Sequence, residues 1–466
     1  MTSKRTYHID RRQMLQGGSA LIAGLLVAGA GPVHAFASGG SARRFPHARV
    51  QEATPLGDDE GAVFVGTNHN NTLAADLPAN QVIMYRRSAE GELTMLEVFD
   101  TGGQGSGPSQ RFAGDGLGSG NSLRLSTDNR WLFVTNAGSN TVSVFEVRSD
   151  GLNLTDVVPT GDGSQGHRFP NSVTQHEDLV YVLNAADEGN ITGFRLSDDG
   201  QLSPVADSTR TLNANQEDFA PDPLFNPTQV AFTPEGTQLV VTIKDGPAEG
   251  VLPNVTPTGP GRVLIFSVDT DGLPSEEFVQ TDFDNRGPFG FSFDNDGHLL
   301  VAEFLGGGME IIDGMPTVTA AAGSYRINED GTLEAITAAV KNHQIDTCWL
   351  VNNGMYAYGS NYASGTISSY EIGGDGGLTL LQEVAGETDD PGNTQGSTPL
   401  DARISKDGRF LYVVLPGAGK VGGWQIEDDG TLTKVGEFEG LTQTVDGDMA
   451  PGDFTGLGSP AGIEVI

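Results

Sequence analysis

Apolar and polar residues alternate with period two through short runs along most of this chain, and the runs come in sets. The clearest set is Phe133-Val-Thr-Asn-Ala-Gly-Ser-Asn-Thr-Val-Ser-Val-Phe-Glu-Val147, two alternating runs around a Gly/Asn/Ser loop. Alternation at every second position puts successive side chains on opposite faces of a strand. Variants recur at 180–196, at 239–268 with a long insert, at 355–372 and at 411–426. Asp-Gly or Glu-Gly pairs stand near the outer ends, where they supply the positive backbone angles of tight hairpins. The unit returns about every 50–60 residues and reads as four strands, the pattern of a β-propeller blade.

Inner strands align on a small or Pro-led start: Asn121-Ser-Leu-Arg-Leu, Pro170-Asn-Ser-Val, Pro227-Thr-Gln-Val-Ala-Phe, Pro288-Phe-Gly-Phe-Ser-Phe, Ile345-Asp-Thr-Cys-Trp and Pro399-Leu-Asp-Ala-Arg-Ile. A seventh, Pro460-Ala-Gly-Ile-Glu-Val-Ile466, lies at the C-terminus, while the first unit starts at Ala62-Val-Phe-Val-Gly without an inner strand. The pattern predicts an all-β, seven-bladed β-propeller closed by the C-terminal strand joining the N-terminal blade. Closure removes the open sheet edge of a linear array. A ring without free edges predicts a monomer.

Loop lengths divide the two rims. Short turns (Asp128-Asn129, Glu235-Gly236, Asp296-Gly297, Asp407-Gly408; Asp150-Gly151, Asp199-Gly200, Asp271-Gly272, Asp330-Gly331, Asp429-Gly430) belong to one end. Long segments such as 102–120, 212–226, 245–260 and 440–459 belong to the other. Long loops on a rigid scaffold are where binding and catalytic groups concentrate, so a site is expected over the channel on the long-loop rim.

The first residues differ in kind. Arg11-Arg12 precedes a short Gly/Ala/Leu stretch and small-residue cleavage sites after Ala35 or Ala37, which resembles a Tat export signal. The expected division is a signal over 1–37, a leader over 38–60 and one propeller over 61–466. Export to a periplasmic or extracellular location follows, with no integral membrane span in the mature chain, because the apolar run is too short and Gly-rich. The single cysteine, Cys348, falls inside an inner strand, so no disulfide forms and an inert buried thiol is expected.

Sixty-one acidic residues against 26 basic give a formal charge of −35. Nucleic acid and anionic membranes require cationic surface, so neither is an expected partner. A dense acidic shell is screened only at high salt, which points to a halophilic setting. Calcium loops are not the better explanation. The Asp-Gly pairs sit where hairpins need them, and none completes an EF-hand loop.

No nucleophile elbow, zincin helix or P-loop occurs, and neither a cofactor nor a metal site is indicated. Gly102-Gly-Gln-Gly-Ser-Gly107 reads as a flexible connector rather than an anion cradle, since no helix follows. His69, His167 and His343 fall in long-rim connections, as do Arg111, Arg168 and Arg286. In so acidic a chain these arginines are candidates for holding a carboxylate or phosphate. Glu303 ends a strand before Phe304-Leu-Gly-Gly-Gly and is expected to look toward the channel mouth. Lys244 ends the corresponding strand of the fourth blade, and Glu217 and Asp218 lie in a long loop.

Phe133-Val-Thr-Asn136, Leu125-Ser-Thr-Asp-Asn-Arg-Trp-Leu-Phe-Val134 and Ile404-Ser-Lys-Asp-Gly-Arg-Phe-Leu-Tyr-Val413 are similar to the recurrent phrases of the seven-bladed lactonase family. That group includes 6-phosphogluconolactonase-like and carboxymuconate-cyclase-like propellers, and the resemblance covers about residues 60–466. It implies a His, Arg and Glu set near the channel acting on a small-molecule lactone or carboxylate ligand. The family's Pro-His-x-His approach is here Gly166-His-Arg-Phe-Pro-Asn171, with one histidine in a comparable place. On this resemblance His167 is a general acid or base, Arg168 the oxyanion or carboxylate partner, and Glu303 a second acid–base group. Arg111, Lys244, His343 and Arg286 are then substrate-binding residues. The alternative is a non-enzymatic secreted or cell-surface propeller that binds a ligand or protein.

Overall fold

The computed structural model of the chain describes residues 60–72, 78–107, 115–161, 168–216, 221–244, 259–284, 286–312, 314–388, 396–443 and 459–466. Seven antiparallel sheets succeed one another; six run in chain order from the inside outward, and in blade 1 the last strand of the chain takes the innermost place. Inner strands are Ile463–Val465 for blade 1, then Leu123–Leu125, Pro170–His176, Pro227–Phe232, Pro288–Phe293, Thr347–Asn352 and Ala402–Ile404 for blades 2 to 7. The predicted seven-bladed ring is what forms; the expected signal over 1–37 and all of the expected leader but residue 60 lie outside the described residues.

Burial follows from position in the blade. Second strands are covered on both faces by neighbouring blades, and Gly61–Gly66, Trp131–Asn136, Leu179–Asn184, Gln238–Ile243 and Phe410–Leu415 are buried at every residue. Outer strands such as Leu93–Asp100 are largely exposed and carry the polar alternation. Apolar clusters join adjacent blades: Phe133 and Val144 of blade 2 pack with Val173 and Val182 of blade 3.

Blade 1 closes the ring. Ile463–Val465 pairs antiparallel with Val63–Val65, and the backbone bonds continue on either side through Gly66 N–H to Gly462 O (3.2 Å) and Ile466 N–H to Ala62 O (2.9 Å). Glu464 is buried between two neighbours: Arg124 of blade 2 and Arg403 of blade 7 each lie 3.0 Å from its Oε1. One carboxylate thus ties three inner strands together.

The asparagine that ends the repeated phrase has a structural meaning. Asn136 accepts from Asn80 Nδ2 (2.9 Å) and Thr101 Oγ1 (2.7 Å) and donates to Ser143 Oγ (2.7 Å). Asn184 accepts from Thr160 Oγ1 (2.7 Å), and Asn361 accepts from Asn342 Nδ2 (3.1 Å). Each fastens the end of a second strand to the incoming connection from the previous blade.

Blade 5 departs from the repeat. Its two middle strands, Leu299–Ile312 and Met315–Ile327, outrun the six or seven residues usual elsewhere and form a projecting hairpin. Met309 and Ile311 on it are 58% and 68% exposed. The sequence pattern did not announce this extension, because Gly306-Gly-Gly308 reads as a loop.

Charge sets two expectations for stability. At a formal −35, self-repulsion weakens the ring in dilute buffer, and roughly molar NaCl screens it. Melting curves in the two conditions are expected to differ by several degrees, with the higher midpoint in salt; equal midpoints would remove the halophile inference. The second concerns Asp401, which is 1% exposed. Burial pushes its carboxyl up to about 7, against the Gly462 N–H bond and Arg403. A carboxyl raised on folding contributes stability below the ordinary carboxyl range, and that contribution is lost as pH rises through about 7. Asp401→Asn is therefore expected to be more stable to denaturant than wild type at pH 8, by on the order of 2–4 kcal/mol, and to converge with it toward pH 4. A stability difference that ignores pH would show that Asp401 is not the titrating group.

Candidate active site at the channel mouth

Starts of inner strands and ends of second strands meet at the long-loop end of the channel, so residues in those slots face one another across it. A cavity there is lined by Asp115, Pro223, Leu224, Lys244, Phe289, Phe304, Asp346, Cys348 and Tyr362. Lys244 follows directly on the second strand of blade 4, Gln238–Ile243. Phe289 and Phe304 come from blade 5, and Asp346, Cys348 and Tyr362 from the inner and second strands of blade 6 or the residues flanking them.

Asp115 arrives on the connection between blades 1 and 2, which reaches well beyond its own neighbours. Leu117 O accepts from Asn226 Nδ2 (3.0 Å), Gly118 O from Lys244 Nζ (3.3 Å) and Ser119 O from Trp349 Nε1 (3.1 Å). Residues 115–121 therefore strap across to blades 4 and 6. The strap turns at Gly118 (φ +59°), where an added Cβ would lie 3.1 Å from both Asn226 and Pro223. Its fold delivers Asp115 opposite Lys244.

The electrostatics are those of a dry site. Lys244 is 3% exposed, and its Nζ sits 3.9 Å from the centre of the Phe289 ring. Burial lowers its pKa, while Asp115, Cys348, Asp346 and Asp222 oppose that shift. Burial pushes the Asp115 carboxyl up to about 6, against Lys244 and the Gly118 N–H, which donates to Oδ1 at 2.7 Å. Cys348 Sγ donates to Asp346 Oδ1 (3.0 Å), and burial pushes the thiol well up. The thiol stays protonated, as an inert cysteine should.

The residues singled out in the sequence fall into separate places. Lys244 is in the cavity. Arg286 and Glu303 come together with each other: Arg286 Nη1 is 3.0 Å from Glu303 Oε1, and Tyr325 Oη donates to the same oxygen at 2.6 Å. Arg286 also donates to Tyr325 Oη (2.7 Å). Glu303 is fully buried, and burial raises its pKa against the Arg286 charge. In register it stands opposite Pro288, as Asn184 stands opposite Pro170. It thus occupies the asparagine position of the repeat and fastens the same connection, using Arg286 in place of a hydroxyl or amide.

His343 is at the projecting hairpin, its Nδ1 2.8 Å from Glu310 Oε2, and is exposed. Arg168 is half-buried beside the inner strand of blade 3, where its carbonyl accepts from Ala186 N–H. Arg111, His167, Glu217 and Asp218 lie outside the described residues. His69 is buried with Nε2 3.1 Å from Thr442 Oγ1, and burial pulls its pKa down to about 4, so it is neutral. The Gly102–Gly107 run has no amides left for an anion at 103–107. They go to Thr101 Oγ1, Ser139 Oγ, His69 O, Asn68 Oδ1 and Asn68 O in turn.

Sequence reasoning missed Asp115 and Asp346, and it missed the aromatic wall. A signal existed for Asp346: Ile345-Asp-Thr-Cys and Leu400-Asp-Ala-Arg both place an acid at the mouth of an otherwise small or apolar inner strand. No pattern marked Asp115, because only the strap's path makes it a channel residue.

The chain belongs to the seven-bladed β-propeller lactonase family: the profile described as "Lactonase, 7-bladed beta-propeller" matches residues 78–215 and 315–448. No curated protein matches it. Among solved structures it is similar to a candidate 6-phosphogluconolactonase of Bacteroides uniformis, at 18% identity and a TM-score of 0.60 over 88% of this chain and 100% of that one. It is also similar to the periplasmic gluconolactonase of Pseudomonas aeruginosa, at 14% and 0.58 over 87% and 99%. A hypothetical selenium-binding protein of Sulfolobus tokodaii matches at 12% and 0.55 over 89% and 94%. At these identities the likeness is one of fold.

Proposed function

We propose that this lactonase-family propeller hydrolyses a lactone in the channel-mouth cavity, with Asp115 and Lys244 as its principal groups. The observation that carries the reading is their pairing: a desolvated ammonium and a proton-hungry carboxyl share one apolar-walled cavity. Perturbed ionisable groups in a concave site are the usual mark of catalysis.

In this reading Asp115 accepts a proton from water as its oxygen bonds to the ring carbonyl carbon. The Lys244 ammonium opposes the charge growing on the carbonyl oxygen. The ring C–O bond then breaks, and the departing alkoxide takes the proton from Asp115, leaving a hydroxy acid and a restored carboxylate. Glu303 and Arg286 support the site from behind by fixing the strand that carries Phe304. His167 and Arg168 remain proposed members of the rim; unchanged turnover in His167→Ala would remove that residue.

A panel of lactones assayed with the mature protein, in low and high salt, tests the proposal. Because Asp115 works as the carboxylate and its pKa is about 6, kcat/KM is expected to climb with pH and level off above that value. A profile falling across the same range would put the base elsewhere. Export is proposed on Arg11-Arg12; secretion undiminished by replacing both with lysine would count against it.

The projecting hairpin with exposed Met309 and Ile311 favours a second reading, a binding propeller. A reproducible captured partner that depends on those two residues, together with silence across the lactone panel, would select it.

A further inference from the structure

Resting on the reading of the cavity as a lactone-hydrolysing site, we infer that its substrate is a small lactone with an uncharged, apolar body, and that phosphorylated lactones are excluded. Lys244 is the only cation lining the cavity among the described residues, and Asp115 and Asp346 line the same cavity. Asp222 adds a third negative charge that acts on Lys244. A phosphate monoester carries about −1.5 to −2 charge at neutral pH, so it meets one ammonium already faced by three carboxylates.

The other described guanidinium groups near the channel are engaged, Arg168 among them. The guanidinium of Arg286 is taken up by Glu303 and Tyr325, and those of Arg124 and Arg403 by Glu464. The Gly-rich run spends its amides on neighbouring loops.

The walls fit a different ligand. Phe289, Phe304, Tyr362, Leu224 and Pro223 make up most of the lining, and hydrocarbon of that kind rewards an alkyl or aryl substituent more than a polyhydroxylated one. A neutral lactone enters this field without penalty. Hydrolysis turns it into a carboxylate among carboxylates, and the repulsion that bars phosphate then expels the product.

The test measures kcat/KM at about 0.15 M salt, chosen so that screening is moderate, on three lactones: an alkyl- or phenyl-substituted δ-lactone, gluconolactone and 6-phosphogluconolactone. The substituted lactone is expected to exceed the phosphorylated one by about 100-fold or more, since like charges brought together cost several kcal/mol. Asp346→Asn is expected to narrow that ratio about tenfold by raising kcat/KM on the phosphorylated substrate, while the neutral lactone responds to the altered field on Asp115 and Lys244. Turnover with the phosphorylated lactone equal or preferred overturns this inference while leaving lactone hydrolysis standing. If no lactone turns over, hydrolysis itself falls and calorimetry decides the class. Binding of the phenyl lactone without binding of inorganic phosphate upholds the apolar assignment, and the reverse overturns it.

Discussion

Asp115→Asn is expected to lower turnover of a responsive lactone by about 10²–10⁴-fold, the usual weight of a positioned acid–base group, with the ring still folded. Asparagine keeps an oxygen to accept the Gly118 N–H but cannot shuttle a proton. Its neutrality suits a site where burial already penalises the carboxylate, so the melting point should hold or rise. Loss of activity together with gain of stability is the signature of a strained functional group rather than a packing residue. Lys244→Met is the companion. It preserves most of the side-chain volume over Phe289 and removes the charge that opposes the oxyanion, with an expected loss of about 10²–10³-fold. Lys244 also holds the Asp115 pKa down, so the pH at which residual activity levels off should move above 6. Either variant keeping more than about a tenth of wild-type kcat/KM would take the chemistry out of this cavity.

The ring was legible because its instructions are local and repeated. Alternation and Asp-Gly turns recur in blade after blade, and the strand-end Asn of blades 2, 3 and 6 is satisfied by the connection entering that blade, so the copies reinforce one interpretation. Even closure could be read, since an inner strand without a blade and a blade without an inner strand complement each other. The site was legible only where a residue sits at a fixed place in the repeat. Lys244 directly follows the strand position that holds asparagine in blades 3 and 6, and it lines the cavity. Glu303 was singled out by the same reasoning, yet it fills the asparagine position itself and is turned to a structural partner. Strand-end location does not tell a channel-facing side chain from one facing the preceding connection. Asp115 depends on a strap that bonds to blades 4 and 6, a contact between distant segments that no local pattern encodes.

Removing residues 460–466 is expected to abolish the cooperatively folded ring, the largest stability effect in the molecule. Ile463 and Val465 are buried against Val63 and Val65, and burial of each aliphatic side chain is worth about 1.5–3 kcal/mol. Their loss also uncovers the edge of Gly61–Gly66, a strand buried on both faces in the intact ring, and an apolar open edge of that kind pairs with other chains. Electrostatics add to the damage. Arg124 and Arg403 lose Glu464, and Asp401 loses the Gly462 N–H that partly offsets its burial. A domain of this kind has only about 5–15 kcal/mol in hand, so these losses together exceed what it can absorb. Ile463→Ala gives the graded version, with an expected cost of about 2–5 kcal/mol. Glu464→Gln separates the ionic clasp from the strand pairing. If the truncated chain still melts in one sharp transition within a few degrees of wild type, closure through blade 1 is not what holds the ring. If it fails but recovers when a synthetic 460–466 peptide is added, the strand acts as a discrete fastener whose fit, rather than its covalent attachment, completes the propeller.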